Sequence, residues 1–181
     1  MPNWCNNSVT ISGPTETIRR VWENTTNSEN DQSLLQAMAP MPDELVGTKA
    51  PDENAKNWYS WRVNNWNTKW DVSDEGLEFT DNGDGTATIE GWFDSAWSPP
   101  VGAYEQFLKN TNDCSVEASY YESGLDFGGF WENGNDIHFD DLQEQLDQPT
   151  ELWTQDFVRF EGEYDLLSEE WRFEETDIEM E

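Results

Sequence analysis

Acidic side chains are divided so unevenly along this chain that its two parts cannot rely on the same forces to fold. Residues 1–70 carry 8 Asp and Glu against 6 Lys and Arg, a net of −2, whereas residues 71–181 carry 31 against 3, a net of −28. The three bases of the second part are Lys109, Arg159 and Arg172. That part must spread carboxylates over its surface and draw its cohesion from apolar groups. Aromatic residues supply them, at 14% of the chain with 11 Trp, although only 35% of residues are hydrophobic. An acidic chain that stays disordered is poor in aromatics, so this one packs a core.

The total charge of −30 excludes direct binding to nucleic acid, which needs a basic footprint, and repels an anionic membrane surface as well. Macromolecular partners are therefore expected to be basic. No apolar run approaches the length of a membrane span, and Met1-Pro2-Asn3-Trp4-Cys5 lacks the charged and apolar regions of a signal peptide. A soluble protein of the cytoplasm is the expectation. Cys5 and Cys114 form neither a disulfide framework nor a zinc site, and both read as buried thiols.

Periodicity organises the first part. Val9 and Ile11 alternate with polar neighbours in a strand over 4–12 that Gly13-Pro14 stops, and Ile18, Val21 and Trp22 share one face of a helix over 14–26. Residues 34–72 read as an insertion. It holds a short apolar segment Leu34 to Met38, a loop broken by Pro40, Pro42 and Pro51, and Trp58, Trp61, Trp66 and Trp70 at nearly helical spacing, with Asn64-Asn65 and Asn67 arguing for a break. Strands at 77–79 and 86–93 flank an Asn-Gly and Asp-Gly turn, giving a hairpin. Ser98 is placed as the cap of a helix over 99–110, with Tyr104 and Phe107 on its apolar stripe. A strand at 114–121 and a hairpin of 127–131 with 137–139 follow. The order predicts an α+β protein with an antiparallel sheet in the ferredoxin-like, split βαβ arrangement, two helices covering one face. The ferredoxin-like domain is expected over 1–139, and an acidic C-terminal extension over 140–181, docked to about Phe173 with the last eight residues frayed.

Three strings carry a resemblance: Asn3-Trp4-Cys5-Asn6-Asn7, Asn65-Trp66-Asn67-Thr68-Lys69-Trp70-Asp71, and Phe93-Asp94-Ser95-Ala96-Trp97-Ser98-Pro99-Pro100. Together they resemble the YubB-like proteins of phages and plasmids over about residues 1–125, with Asn67 where that family usually has Gly. The resemblance implies a ferredoxin-like domain and an accessory role in a mobile element, with no catalytic residues to carry over.

Two kinds of site follow. One is a partner-binding surface in the acidic part, formed by Asp140, Asp141, Glu144 and Asp147 together with Glu161, Glu163, Asp165, Glu169 and Glu170. Trp153 and Trp171 would add short-range contacts. Rows of carboxylates imitate the field of DNA, so a basic, nucleic-acid-binding host protein is the expected partner, inhibited by occupation of its cleft. The other is the Trp-lined cleft of a small-ligand-binding protein or enzyme at Trp66, Lys69, Trp70, Asp71, Trp97 and Ser98, with Lys69 as a hook for an anion, in which case the acidic surface serves only solubility or salt adaptation. Asp136, His138 and Asp140 share one side of a strand as metal ligands would, but surface strand residues explain them equally. Residues 81–85 lack the ligand pattern of a calcium loop. With one His and no Gly-x-Ser-x-Gly, nothing points to nucleophilic catalysis, a cofactor or a structural metal, and the oligomeric state stays open.

Overall fold

A computed structural model describes residues 2–27, 29, 33–49 and 56–172. It is an α+β protein built on a six-stranded sheet whose neighbours all run antiparallel. In chain order come β1 (Trp4–Pro14), α1 (Thr15–Thr26), α2 (Leu34–Met38), α3 (Trp58–Trp66), β2 (Leu77–Asp81), β3 (Thr86–Ala96), α4 (Val101–Asn110) and β4 (Ser115–Glu122). The acidic part adds β5 (Phe127–Glu132), β6 (Asn135–Asp140), α5 (Leu142–Leu146), α6 (Gln155–Glu163) and a ribbon of β7 (Tyr164–Asp165) with β8 (Glu170–Trp171). Across the sheet the order is β2-β3-β1-β4-β5-β6, so β1 lies inside and β2 and β6 are the edges.

Period-2 burial decides which face each strand residue takes. Cys5, Val9 and Ile11 of β1, Ala87, Ile89 and Phe93 of β3 and Val116 and Ala118 of β4 are all buried on one face. Against them pack Ile18 and Val21 of α1, Leu34, Leu35 and Met38 of α2, Trp66 of α3, and Tyr104 and Phe107 of α4. Trp22 is only partly buried and stacks on Phe79, 6.3 Å between ring centres. Among the described residues the opposite face is covered over β4, β5 and β6. There Tyr121, Phe130, Leu142, Phe157, Phe160, Tyr164 and Leu166 form a second core, flanked by Ile137 and Phe139. Phe157 and Phe160 turn to the sheet because they lie three residues apart on α6, whose first turn is capped by Thr154 accepting from the Phe157 N–H at 3.1 Å. The acidic part therefore turns most of its aromatics inward and most of its carboxylates outward, Asp71 and Glu122 being buried. Phe173 and the terminal residues fall outside the described residues.

Three details differ from the sequence reading. Asn64 and Asn65 stay inside α3, and the break comes at Asn67, which takes the left-handed conformation at φ 65° that ends a helix. Ser98 does not cap α4. Pro100 occupies the position before the helix, and the Ser98 hydroxyl donates instead to the Asn67 carbonyl. Cys5 is buried, but Cys114 is only partly so. No helix among the described residues is long and apolar enough to cross a membrane.

Candidate functional site

The three strings that carried the resemblance meet at one end of the sheet. The Trp97 N–H donates to the Asn3 carbonyl at 2.9 Å, and the Thr68 hydroxyl donates to the Ala96 carbonyl at 2.9 Å. Beneath them the Asn7 amide donates to the Cys5 carbonyl and to the Ser95 hydroxyl, both at 2.9 Å, and Ser95 donates to the Ser98 carbonyl at 2.7 Å. Burial pushes the Cys5 thiol far above its usual range, so it stays protonated and inert.

Around this corner the residues of the expected ligand cleft separate into two groups. Trp66 is fully buried, its indole N–H donating to the Ala39 carbonyl at 2.8 Å. Asp71 is buried too, and its carboxylate accepts from the N–H groups of Leu35, Gln36 and Val72 at 2.7, 2.9 and 2.8 Å. Burial pushes the Asp71 carboxyl up, against the pull of those three donors and of nearby Arg62. Trp66 and Asp71 are thus built into the core. Lys69, Trp70, Trp97 and Ser98 remain near the surface. The Lys69 ammonium lies 4.6 Å from the Trp70 ring centre, 5.7 Å from Trp97 and 5.8 Å from Tyr59, so three aromatic rings hold it rather than leaving it free to hook an anion.

Next to this cage is an open cleft of about 270 Å³ lined by Trp4, Ser73, Glu75, Gly76, Trp92 and Asp94, with the backbone at Phe93. Trp4, Trp92 and Asp94 share the sheet face opposite α1–α4, since Trp4 pairs with Ala96, Asn6 with Asp94 and Ser8 with Trp92. Gly76 shapes one wall: a Cβ there would lie 2.4 Å from the Trp92 carbonyl oxygen and 2.7 Å from its ring, so only glycine lets the chain pass this close to Trp92. Asp94 is exposed as a residue, yet partial desolvation against the cleft raises its carboxyl above the usual value. A carboxyl raised on folding costs stability once it is ionised, and the cost vanishes as pH falls through 3.8. Asp94→Asn is accordingly expected to be slightly more stable than the parent at neutral pH, solvent screening keeping the gain small, with the gap closing toward pH 3.8 in urea melts; a constant gap would show that the charge is not its source.

On the same face runs a row of carboxylates. Glu78 pairs with Glu90, Glu90 with Thr10, Thr10 with Glu117, and Glu117 with Glu132, in register across five strands. Strands lie about 4.8 Å apart, so four carboxylates cross roughly 20 Å of sheet. Arg159 closes the row by bridging Glu132 and Glu163, while the Glu163 carboxylate also accepts from the Ser119 hydroxyl at 2.9 Å.

In the acidic extension the expected partner-binding residues also divide. Arg172 holds Glu161 at 3.0 Å and Asp165 at 3.3 Å, and burial raises the Glu161 carboxyl. Trp171 packs on Tyr164 with ring centres 4.6 Å apart, and Trp153 on Phe157 at 4.8 Å. These two indoles mainly complete the second core. Asp140, Asp141, Glu144, Asp147, Glu169 and Glu170 are exposed. Of Asp136, His138 and Asp140, the first accepts from the Tyr120 hydroxyl at 2.8 Å and the last lies 3.1 Å from the His138 Nε2.

Trp92, Glu75, Gly76 and the row Glu78, Glu90 and Glu117 were not singled out by the sequence reading. The hairpin turn held the signal for part of them, because its length sets Glu78 opposite Glu90.

No family model and no curated protein matches the chain. Among solved structures it is similar to the crystal structure of a protein api92 from Yersinia pseudotuberculosis, family-model DUF1281, at 13% identity and a TM-score of 0.37, covering 59% of this chain and 38% of that one.

Proposed function

We propose that this protein works by stoichiometric binding to a basic, nucleic-acid-binding host protein, presenting its carboxylates where that partner expects DNA phosphates. The observation that carries this reading is the row on the open sheet face. Glu78 directly faces Glu90, and Glu117 directly faces Glu132. Like charges opposite one another destabilise a sheet by a few tenths of a kcal/mol to about 1 kcal/mol per pair. Among the described residues only Glu132 has a basic partner to offset this, so the row works against the fold and calls for a role outside it. Salt adaptation would acidify the whole surface, whereas the first 70 residues are nearly balanced at a net of −2.

The order β2-β3-β1-β4, with α1 and α4 packed on one face, supports a ferredoxin-like core extended by β5 and β6. With the three strings it supports a place beside the YubB-like accessory proteins of phages and plasmids.

The test is capture of host proteins on the immobilised chain. Basic nucleic-acid-binding proteins should be retained at about 50 mM salt, released as salt rises, and displaced by duplex DNA competing for the same cleft. Retention that duplex DNA leaves unchanged would remove the DNA-mimic reading.

A further inference from the structure

Trp4 and Trp92 are 45% and 47% exposed, in a chain that buries Trp66 and Trp131 almost completely. Half-exposed indoles facing a common cleft mark a surface that another molecule completes. The chemistry of the lining narrows the class of that molecule. Two aromatic walls offer negative ring faces, and the carboxylates of Asp94 and Glu75 add formal negative charge. An anion is repelled on every side, and a neutral apolar group would strand the carboxylates.

Size narrows it further. About 270 Å³ lies below the usual span of pockets for whole ligands or cofactors, roughly 300–1,000 Å³, and suits one long side chain. The protein also shows how the same chemistry behaves when filled, because the neighbouring cage of Tyr59, Trp70 and Trp97 is occupied by Lys69. Trp4 stands between the two, its ring centre 5.9 Å from that of Trp70. Among the described residues no Lys or Arg lies over Trp4 or Trp92.

We propose that the cleft between Trp4 and Trp92 receives a single arginine side chain of the basic partner, its guanidinium stacked on indole and hydrogen-bonded to Asp94. Arginine fits better than lysine because its planar head stacks on a ring while its edge meets a carboxylate through two parallel N–H bonds. This deepens the proposed function and rests on it: the carboxylate row supplies long-range attraction, and the cleft supplies the short-range contact that fixes where the partner sits.

The probe is a capped Gly-Arg-Gly peptide titrated into the full chain, with the indole N–H signals of Trp4 and Trp92 followed by NMR and assigned through Trp4→Phe and Trp92→Phe. The arginine peptide should shift both signals, and the citrulline peptide, which keeps the shape without the charge, should shift neither. Asp94→Asn should weaken arginine binding about tenfold or more, the usual scale for losing a charge-assisted bond, while the variant stays folded. Signals that do not move at millimolar peptide, that move equally with citrulline, or that respond unchanged in Asp94→Asn would each overturn the proposal. Equal affinity for a lysine peptide would overturn the preference for a guanidinium. If the peptide fails while the chain still captures basic proteins in a salt- and DNA-sensitive way, the cleft assignment alone falls. If the peptide binds and no such capture occurs, the DNA-mimic reading falls and the cleft stands as an arginine site.

Discussion

Asp71→Ala is expected to lower the stability of the protein by about 3 kcal/mol or more, because it leaves buried N–H groups with no acceptor. The Asp71 carboxylate sits at the start of α2, which has five residues and cannot hold itself together by its own hydrogen bonds. Two of the three N–H groups it accepts from belong to Leu35 and Gln36 of that helix, and the third is that of Val72. Leu34, Leu35 and Met38 then lose their fixed place over the sheet. Arg62, lodged with its guanidinium 5.2 and 4.9 Å from the ring centres of Trp58 and Trp66, also loses the nearby negative charge that favours its ionised form. Asp71→Asn keeps one acceptor oxygen and should fall between the two. Urea unfolding of the three proteins measures the order; an Asp71→Ala variant within about 0.5 kcal/mol of the parent would show that α2 is held by packing alone.

Reversing Glu78 and Glu117 together to Lys should separate stability from binding. Each new Lys faces a carboxylate directly, Glu90 or Glu132, so both repulsive pairs become attractive and the fold gains about 0.5–2 kcal/mol. The same change removes two negative charges from the open face and adds two positive ones, a net shift of +4. Association with a basic partner should slow about tenfold at low salt, within the 10- to 1,000-fold range over which steering acts, and the difference should shrink as salt rises. Urea melts and stopped-flow association read the two effects independently. A faster or unchanged association rate would move the binding surface off this face. Reversing Glu161, Glu163 and Asp165 is the poorer experiment, since it would break the bridges to Arg159 and Arg172 and disturb the second core.

Strand and helix positions were legible wherever apolar residues kept a period. The alternation through Val9 and Ile11 marks β1, and Tyr104 with Phe107 marks α4. The site was less legible, because two of its determinants are not periodic. A tryptophan looks the same in sequence whether it fills the core, as Trp66 does, or stands in solvent, as Trp92 does; which occurs depends on strand parity and on a glycine sixteen residues earlier. Acidic density also drew attention to the C-terminal extension, although several of its carboxylates are tied to Arg159 and Arg172. The sparser acids on β2, β3 and β4 form an ordered row through strand register, which composition does not record.

The interior place of β1 has a consequence for how the chain reaches its fold. It is the earliest strand in the chain, yet Pro14 must find Thr86, Trp4 must find Ala96 and Cys5 must find Glu122. Every such pairing closes a loop of more than 70 residues before any ladder bond repays the lost entropy, which places the sheet among slow, millisecond-to-second folders. On the ribosome, at about 5–20 residues per second, Val9 and Ile11 wait several seconds for their first partner strand. During that interval β1 is an unpaired apolar strand, open to any other extended chain nearby, so the same central position that anchors the finished sheet makes the newly made chain most prone to misassociate.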